Sequence, residues 1–143
     1  MLFRSHASPV VSGNRVVVIA REGDQETVRA LDVLSGKEIW RASYPAPYTI
    51  NSAAWSHGAG PKSTPAIAGG RVFTLGISGI LSAFDLANGT LVWRVPAPAV
   101  PPQYGTATSP LVDPGDSTSV IVHVGGYESG ALTSFDAATG KPR

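Results

Sequence analysis

The sequence predicts an all-β protein that forms part of a β-propeller, and two observations carry the prediction. Along the 143 residues, apolar runs of about 4–7 residues, rich in Val, Ile, Leu and Phe and bounded by Gly, Asn or Ser, mark short strands rather than helices. A spaced string of residues also returns, since Ala30, Asp32, Gly36 and Trp40 stand at the same relative positions as Ala83, Asp85, Gly89 and Trp93, 53 residues on. A third copy, 51 residues after the second, holds Asp136 and Gly140, with Ser134 in place of the Ala. Four strands recurring at a period of about 50 residues are the mark of a propeller blade. The expectation is one partial propeller domain over 1–143, with three four-stranded antiparallel blades at 8–41, 64–95 and 109–143, the last incomplete.

Each unit opens on a hydroxyl residue and a proline, Ser8-Pro9, Thr64-Pro65 and Ser109-Pro110. In the first unit the chain turns at Gly13-Asn14 and runs out along 15–20. Residues 21–26, with charges of both signs, are expected to form a solvated hairpin tip. Strand three then covers 27–32, and strand four ends at Trp40. In the second unit Gly69-Gly70, Ser78-Gly79 and Asn88-Gly89 separate four apolar runs, each pair being a two-residue turn signal. The third unit turns at 113–116, continues through 120–124, passes a glycine-rich hairpin at 125–130 and forms its third strand at 131–136. Only the start of a fourth strand follows, in 141–143.

The recurring string has a physical reading. Trp40 and Trp93 fall on the outermost strands, where a flat ring buries about 150–250 Å² against a neighbouring blade. Gly36 and Gly89 turn strand three into strand four where a side chain would crowd the turn or the ring. Ala30 and Ala83 leave room for the ring, and Asp32 and Asp85 open the turn, accepting backbone N–H groups two or three residues on.

The string Ala-x-Asp-x-x-x-Gly-x-x-x-Trp resembles the tryptophan-docking motif of the pyrroloquinoline-quinone-like, or quinoprotein-type, propellers. The resemblance runs from about Ser8 to Arg143. A kelch-like propeller interaction module is the alternative, which Gly125-Gly126 resembles. Members of the quinoprotein-like family include catalytic dehydrogenases and non-catalytic scaffolds, so the resemblance specifies fold before activity. It implies a ring of seven or eight blades, completed by further blades of a longer chain or by other copies. It also implies export, in a periplasmic or secreted full-length protein.

Residues 42–63 form the longest irregular stretch, and 22-residue connections in compact domains tend to be either functional or disordered. In propellers such connections run over one face toward the central channel. His57, Lys62 and Ser63, just before the second unit, and Tyr104 and Thr106, before the third, are therefore the candidate ligand-binding residues. Lys62 suits an anionic group and Tyr104 a flat ring.

Net charge is +1, with the basic residues scattered singly, which gives no footprint for nucleic acid. No run of 18 apolar residues is present to span a membrane. The chain has no Cys, which removes disulfides and thiolate metal sites. His6, His57 and His123 lack metal-ligand spacing; His123, alternating with apolar neighbours, reads as a core or interface residue. Glu22, Glu26, Glu38 and Glu128 all fall on expected hairpins or outer strands. No catalytic residue or metal ligand is assigned. The favoured function is a non-catalytic scaffold presenting loops to a protein or small ligand. The alternative, by family resemblance only, is part of a dehydrogenase using pyrroloquinoline quinone and Ca²⁺.

Overall fold

Short β-branched and aromatic runs separated by tight turns have one economical solution, a meander in which each run hydrogen-bonds to the next. The computed structural model describes residues 4–113 and 115–143. Its first sheet holds β1 (Val10–Ser12), β2 (Arg15–Glu22), β3 (Gln25–Asp32) and β4 (Glu38–Pro45), and its second holds β5 (Ala66–Ala68), β6 (Arg71–Leu75), β7 (Leu81–Asp85) and β8 (Leu91–Val95). A third holds β9 (Leu111–Val112), β10 (Ser119–Val124) and β11 (Ala131–Asp136), and a bridge from Phe135 to Pro142 begins a fourth strand there. Every sheet is paired in chain order and antiparallel, giving three blades of an unclosed, partial β-propeller. Met1 to Phe3 of the opening segment and Pro114 of the turn expected at 113–116 lie outside the described residues.

Two expectations about the first blade need correction. The fourth strand does not stop at Trp40 but continues to Pro45, pairing Ala42 to Pro45 with Val28 to Gln25. Nor is 21–26 a solvated tip: β2 and β3 pair as far as Glu22 and Gln25, and Arg21 and Glu26 are buried. Only Gly23 and Asp24 form the turn. The misreading is physical in origin, because charged residues at strand ends look like loop until a neighbouring blade covers them.

The core lies between blades, in two layers. Val17, Ile19, Val28, Ala30, Trp40 and Tyr44 of the first blade pack against Val72, Ile80 and Phe84 of the second. Phe73, Leu75, Leu81, Ala83 and Trp93 of the second pack against Val120, Val122 and Phe135 of the third. The period-2 alternation of β6 and β7 thus sends successive side chains to opposite neighbours, so the middle blade is buried on both faces.

The tryptophans fasten these layers. Trp40 Nε1 donates to the Leu86 carbonyl at 2.9 Å, and Trp93 Nε1 to the Ala137 carbonyl at 3.0 Å. Each ring therefore reaches the turn of the next blade, and it lies on that turn's glycine. A Cβ on Gly89 would stand 2.5 Å from Trp40 Cε3, and one on Gly140 would stand 2.6 Å from Trp93 Cε3. Gly36, at the equivalent turn of the first blade, has nothing within 4 Å of that position. Asp32, Asp85 and Asp136 each accept two backbone N–H groups of their own turn. Register shifts at Ala30/Leu31 and Ala83/Phe84 place a bulge just before each tryptophan, the device by which a strand re-aims a side chain. At the inner edge the repeated hydroxyls form a chain, with Ser8 N donating to Thr64 Oγ1 and Thr64 N to Ser109 Oγ.

A polar contact crosses the first layer as well. Glu26 is fully buried. One carboxylate oxygen accepts the Ile77 N–H at 2.7 Å and the other the Tyr44 hydroxyl at 2.8 Å. A Cβ on Gly76 would overlap that carboxylate. Burial pushes the Glu26 carboxyl above its ordinary value of 4.5, against the opposing pull of the Ile77 amide, the Tyr44 hydroxyl and the charges of Arg21 and Arg94. Burial and the adjacent Glu26 hold the Tyr44 hydroxyl well above the usual tyrosine range, so it remains a donor at neutral pH.

Trp93→Ala and Trp40→Ala should each cost about 3–5 kcal/mol of stability, the range for large core truncations. Gly89→Ala should cost about 1–3 kcal/mol more than Gly36→Ala, because both strain the backbone but only the first drives a methyl into a ring. Denaturant unfolding checks both, and equal costs for the two glycines would show that the indole yields freely. A raised folded pKa means the native state holds the Glu26 proton more tightly than the unfolded chain. That contribution is complete below about 4.5 and is lost as pH rises through the raised value. Between about pH 7 and about pH 4 the native protein should therefore gain stability relative to Glu26→Gln, and the opposite trend would mean that the pocket prefers the charged form.

Candidate functional site

Antiparallel pairing puts the ends of β4 and β8 at the same edge as the β2–β3 and β6–β7 hairpins, since Gln25 faces Pro45 and Leu81 faces Val95. The two inter-blade connections, 46–65 and 96–110, leave from that edge. In the first, Asn51 caps a 3-10 helix, Ser52–His57, its side chain accepting the Ala53 N–H. In the second, Gly105 has a positive φ of 79° and closes a turn onto the Pro102 carbonyl at 3.0 Å.

The connections meet through Lys62, whose ammonium donates to the Tyr104 carbonyl at 2.9 Å. Around this contact lies a cavity of about 670 Å³ lined by His6, Ala53, Ala54, His57, Lys62, Tyr104 and Ala107. His6 Nε2 donates to the His57 carbonyl at 2.5 Å, tying the segment before β1 to the segment before β5. His57 and Tyr104 are exposed and Lys62 is half-buried. The lining combines a cation, two imidazoles and a phenol, with three methyl-sized apolar groups and no carboxylate.

Of the five residues singled out in the sequence, His57, Lys62 and Tyr104 are thus brought together. Ser63 and Thr106 are not: both side chains are buried beneath the loops, at 1% and 3% exposure, and neither hydroxyl finds a protein partner. His6 was missed, although it precedes the first innermost strand as Lys62 precedes the second, and that position is a usable signal. A second cavity, of about 610 Å³, lies alongside, between Tyr48, Asn51, Ser78, Pro102, Gln103 and Tyr127. His123 is half-buried on β10, its ring against Gly130.

Calcium takes about 6–8 oxygen ligands, with carboxylates prominent among them. The Lys62 cavity offers none, and among the described residues no group of three or more His, Asp or Glu side chains is arranged to hold a metal. The cavity therefore does not fit a calcium–quinone pair. What it can do is accept an anionic or flat group between an ammonium and an aromatic face.

Comparison with known proteins gives both sides of the resemblance. The family described as outer membrane protein assembly factor BamB matches residues 3–143. Among solved structures, quinohemoprotein alcohol dehydrogenase from Comamonas testosteroni is 28% identical with a TM-score of 0.69, covering 97% of this chain and 20% of that one. A europium-containing methanol dehydrogenase is 24% identical at a TM-score of 0.67, covering 99% and 24%. BamB from Moraxella catarrhalis is 24% identical at a TM-score of 0.64, covering 91% and 33%. The chain thus spans a third or less of each, and at 24% identity the likeness shows the fold alone. No curated protein sequence matches the chain.

Proposed function

Because the chain belongs to the family described as outer membrane protein assembly factor BamB, we propose that it is a non-catalytic part of a binding propeller. Its loop face takes a flat, anionic group carried by a protein or a small molecule. The observation that carries this reading is the convergence of both inter-blade connections on one cavity with a cationic and aromatic lining and no acid. Lys62 supplies the charge. It spends one of its donors on the Tyr104 carbonyl, which fixes its head group at the cavity, and an ammonium has three. Tyr104 offers an exposed ring for stacking, and His57 further polar contacts.

The remaining blades, from a longer chain or from other copies, complete the ring in this reading. Its support is the outer face of the first blade, where Val11, Val33, Leu34 and Ile39 are exposed and Gly36 lacks the indole that Gly89 and Gly140 hold. Tryptophan docking is the recurring fastener on which that ring would close. In this reading the scaffold works outside the cytoplasm, and the support is the family description, outer membrane protein assembly factor; among the described residues no helix is long and apolar enough to cross a membrane.

A second reading, part of a quinone-dependent alcohol dehydrogenase, is favoured by the 28% identity to the Comamonas testosteroni enzyme. Titrating the protein with pyrroloquinoline quinone, followed by chemical-shift mapping, tests the first reading. Shifts should centre on Lys62, His57 and Tyr104, and Lys62→Ala should weaken binding about tenfold, as loss of a charge-assisted contact does. Shifts at the outer turns near Gly36 or Gly89 would refute the assignment. Dye reduction with alcohols that appears only on adding the quinone and Ca²⁺ would carry the second reading instead.

A further inference from the structure

We propose that Glu26, in the first blade, is the positioning residue for the loop that carries Tyr104, acting through the β6–β7 hairpin of the second blade. The proposal rests on the binding reading above, and adds a residue to it that touches neither cavity.

The connection is made of three consecutive links. Glu26 accepts the Ile77 N–H at 2.7 Å. The carbonyl of that same residue accepts the Thr106 N–H at 2.8 Å. Gly105 then seats against the Ile77 side chain, where a Cβ would stand 2.6 Å from Cδ1. Ile77 is fully buried, so it is clamped by Glu26 on its amide side and carries the second connection on its carbonyl and side-chain sides. Tyr104 lies two residues before Thr106, and its own carbonyl is the acceptor for Lys62.

The carboxylate is in turn held from behind. Tyr44 donates to its second oxygen, the Arg94 guanidinium lies 4.0 Å over the Tyr44 ring, and Arg94 Nε donates to Ser82 Oγ at 2.9 Å. With both oxygens engaged and Gly76 pressed against it, the side chain has no room to rotate away. A buried carboxylate is costly even with one hydrogen bond to each oxygen, and an apolar residue would fill this place at lower cost. What the carboxylate supplies and an apolar residue cannot is a fixed acceptor for one hairpin amide. The residue bearing that amide, Ile77, is the seat of the loop at the cavity.

Amide hydrogen exchange in the complete protein tests the relay without any ligand. In Glu26→Ala, exchange at both Ile77 and Thr106 should quicken about tenfold or more, while the Val28 and Val72 amides of the strand ladders keep their rates. Glu26→Gln, which retains an oxygen at the same reach, should restore protection at both. Glu26→Asp, one methylene shorter, should not, and it serves if the alanine variant folds poorly. Thr106 unchanged while Ile77 quickens would overturn the relay, as would uniform acceleration in the ladders. Pyrroloquinoline quinone binding to the unmodified protein is scored separately. If none is seen but Thr106 responds to Glu26, the relay stands and the binding reading falls; if binding is seen but Thr106 is indifferent, the reverse holds.

Discussion

Everything in this chain depends on one contact, an indole from one blade lying on the glycine turn of the next. A four-stranded meander has little core of its own, because its two faces are one residue thick and each needs a neighbour. The indole solves this by crossing to the next sheet, where it buries its ring and finds a carbonyl for its N–H. Trp40 and Trp93 do so at 7% and 9% exposure. The other repeated residues serve the same contact. The bulge aims the ring, the alanine opposite it leaves space, the aspartate fixes the receiving turn, and the glycine removes the Cβ that would hold the ring off.

This explains which parts of the fold were legible. Strands, turns and period follow from local rules, and so did the three sheets. What a single repeat does not display is that the glycine's crowding partner sits 49 residues earlier, Trp40 for Gly89, rather than on its own hairpin. The first blade hid more. Its β2, β3 and β4 run to eight residues where the second blade has five, and the added length carries Arg21, Glu26, Tyr44 and Pro45, all residues that read as loop. Pro45 is tolerated because β4 is the outermost strand, where no further ladder needs its N–H. Glu26 is tolerated because two donors from different elements converge on it, a fact spread over 51 residues of sequence.

The candidate site was legible in position and not in detail. Polar residues before an innermost strand lie at the loop edge, and three of those the rule singles out, His57, Lys62 and Tyr104, line one cavity. Ser63 and Thr106 are instead buried away from it, because sequence gives no sign of which of several neighbouring loop residues turns inward. At both places an accessible side chain stands close to a buried one, Lys62 half-buried beside buried Ser63 and Tyr104 exposed two residues from buried Thr106.

A loop with no strand pattern holds a site only if something stiffens it. The second connection is stiffened in two ways. Pro96, Pro98, Pro101 and Pro102 restrict the backbone before folding, so less entropy is lost in ordering it. Pro98 also packs by Gly79, and Gly105 and Thr106 rest on Ile77, so the loop is seated on the hairpin beneath it. The first connection is stiffened differently, by the Asn51-capped helical turn and the His6 bond to His57. Lys62 then joins two supports that are rigid for separate reasons. A cation placed that way is already desolvated in part and already oriented, and it is preorganisation of this kind, more than cavity size, that turns a loop face into a binding face.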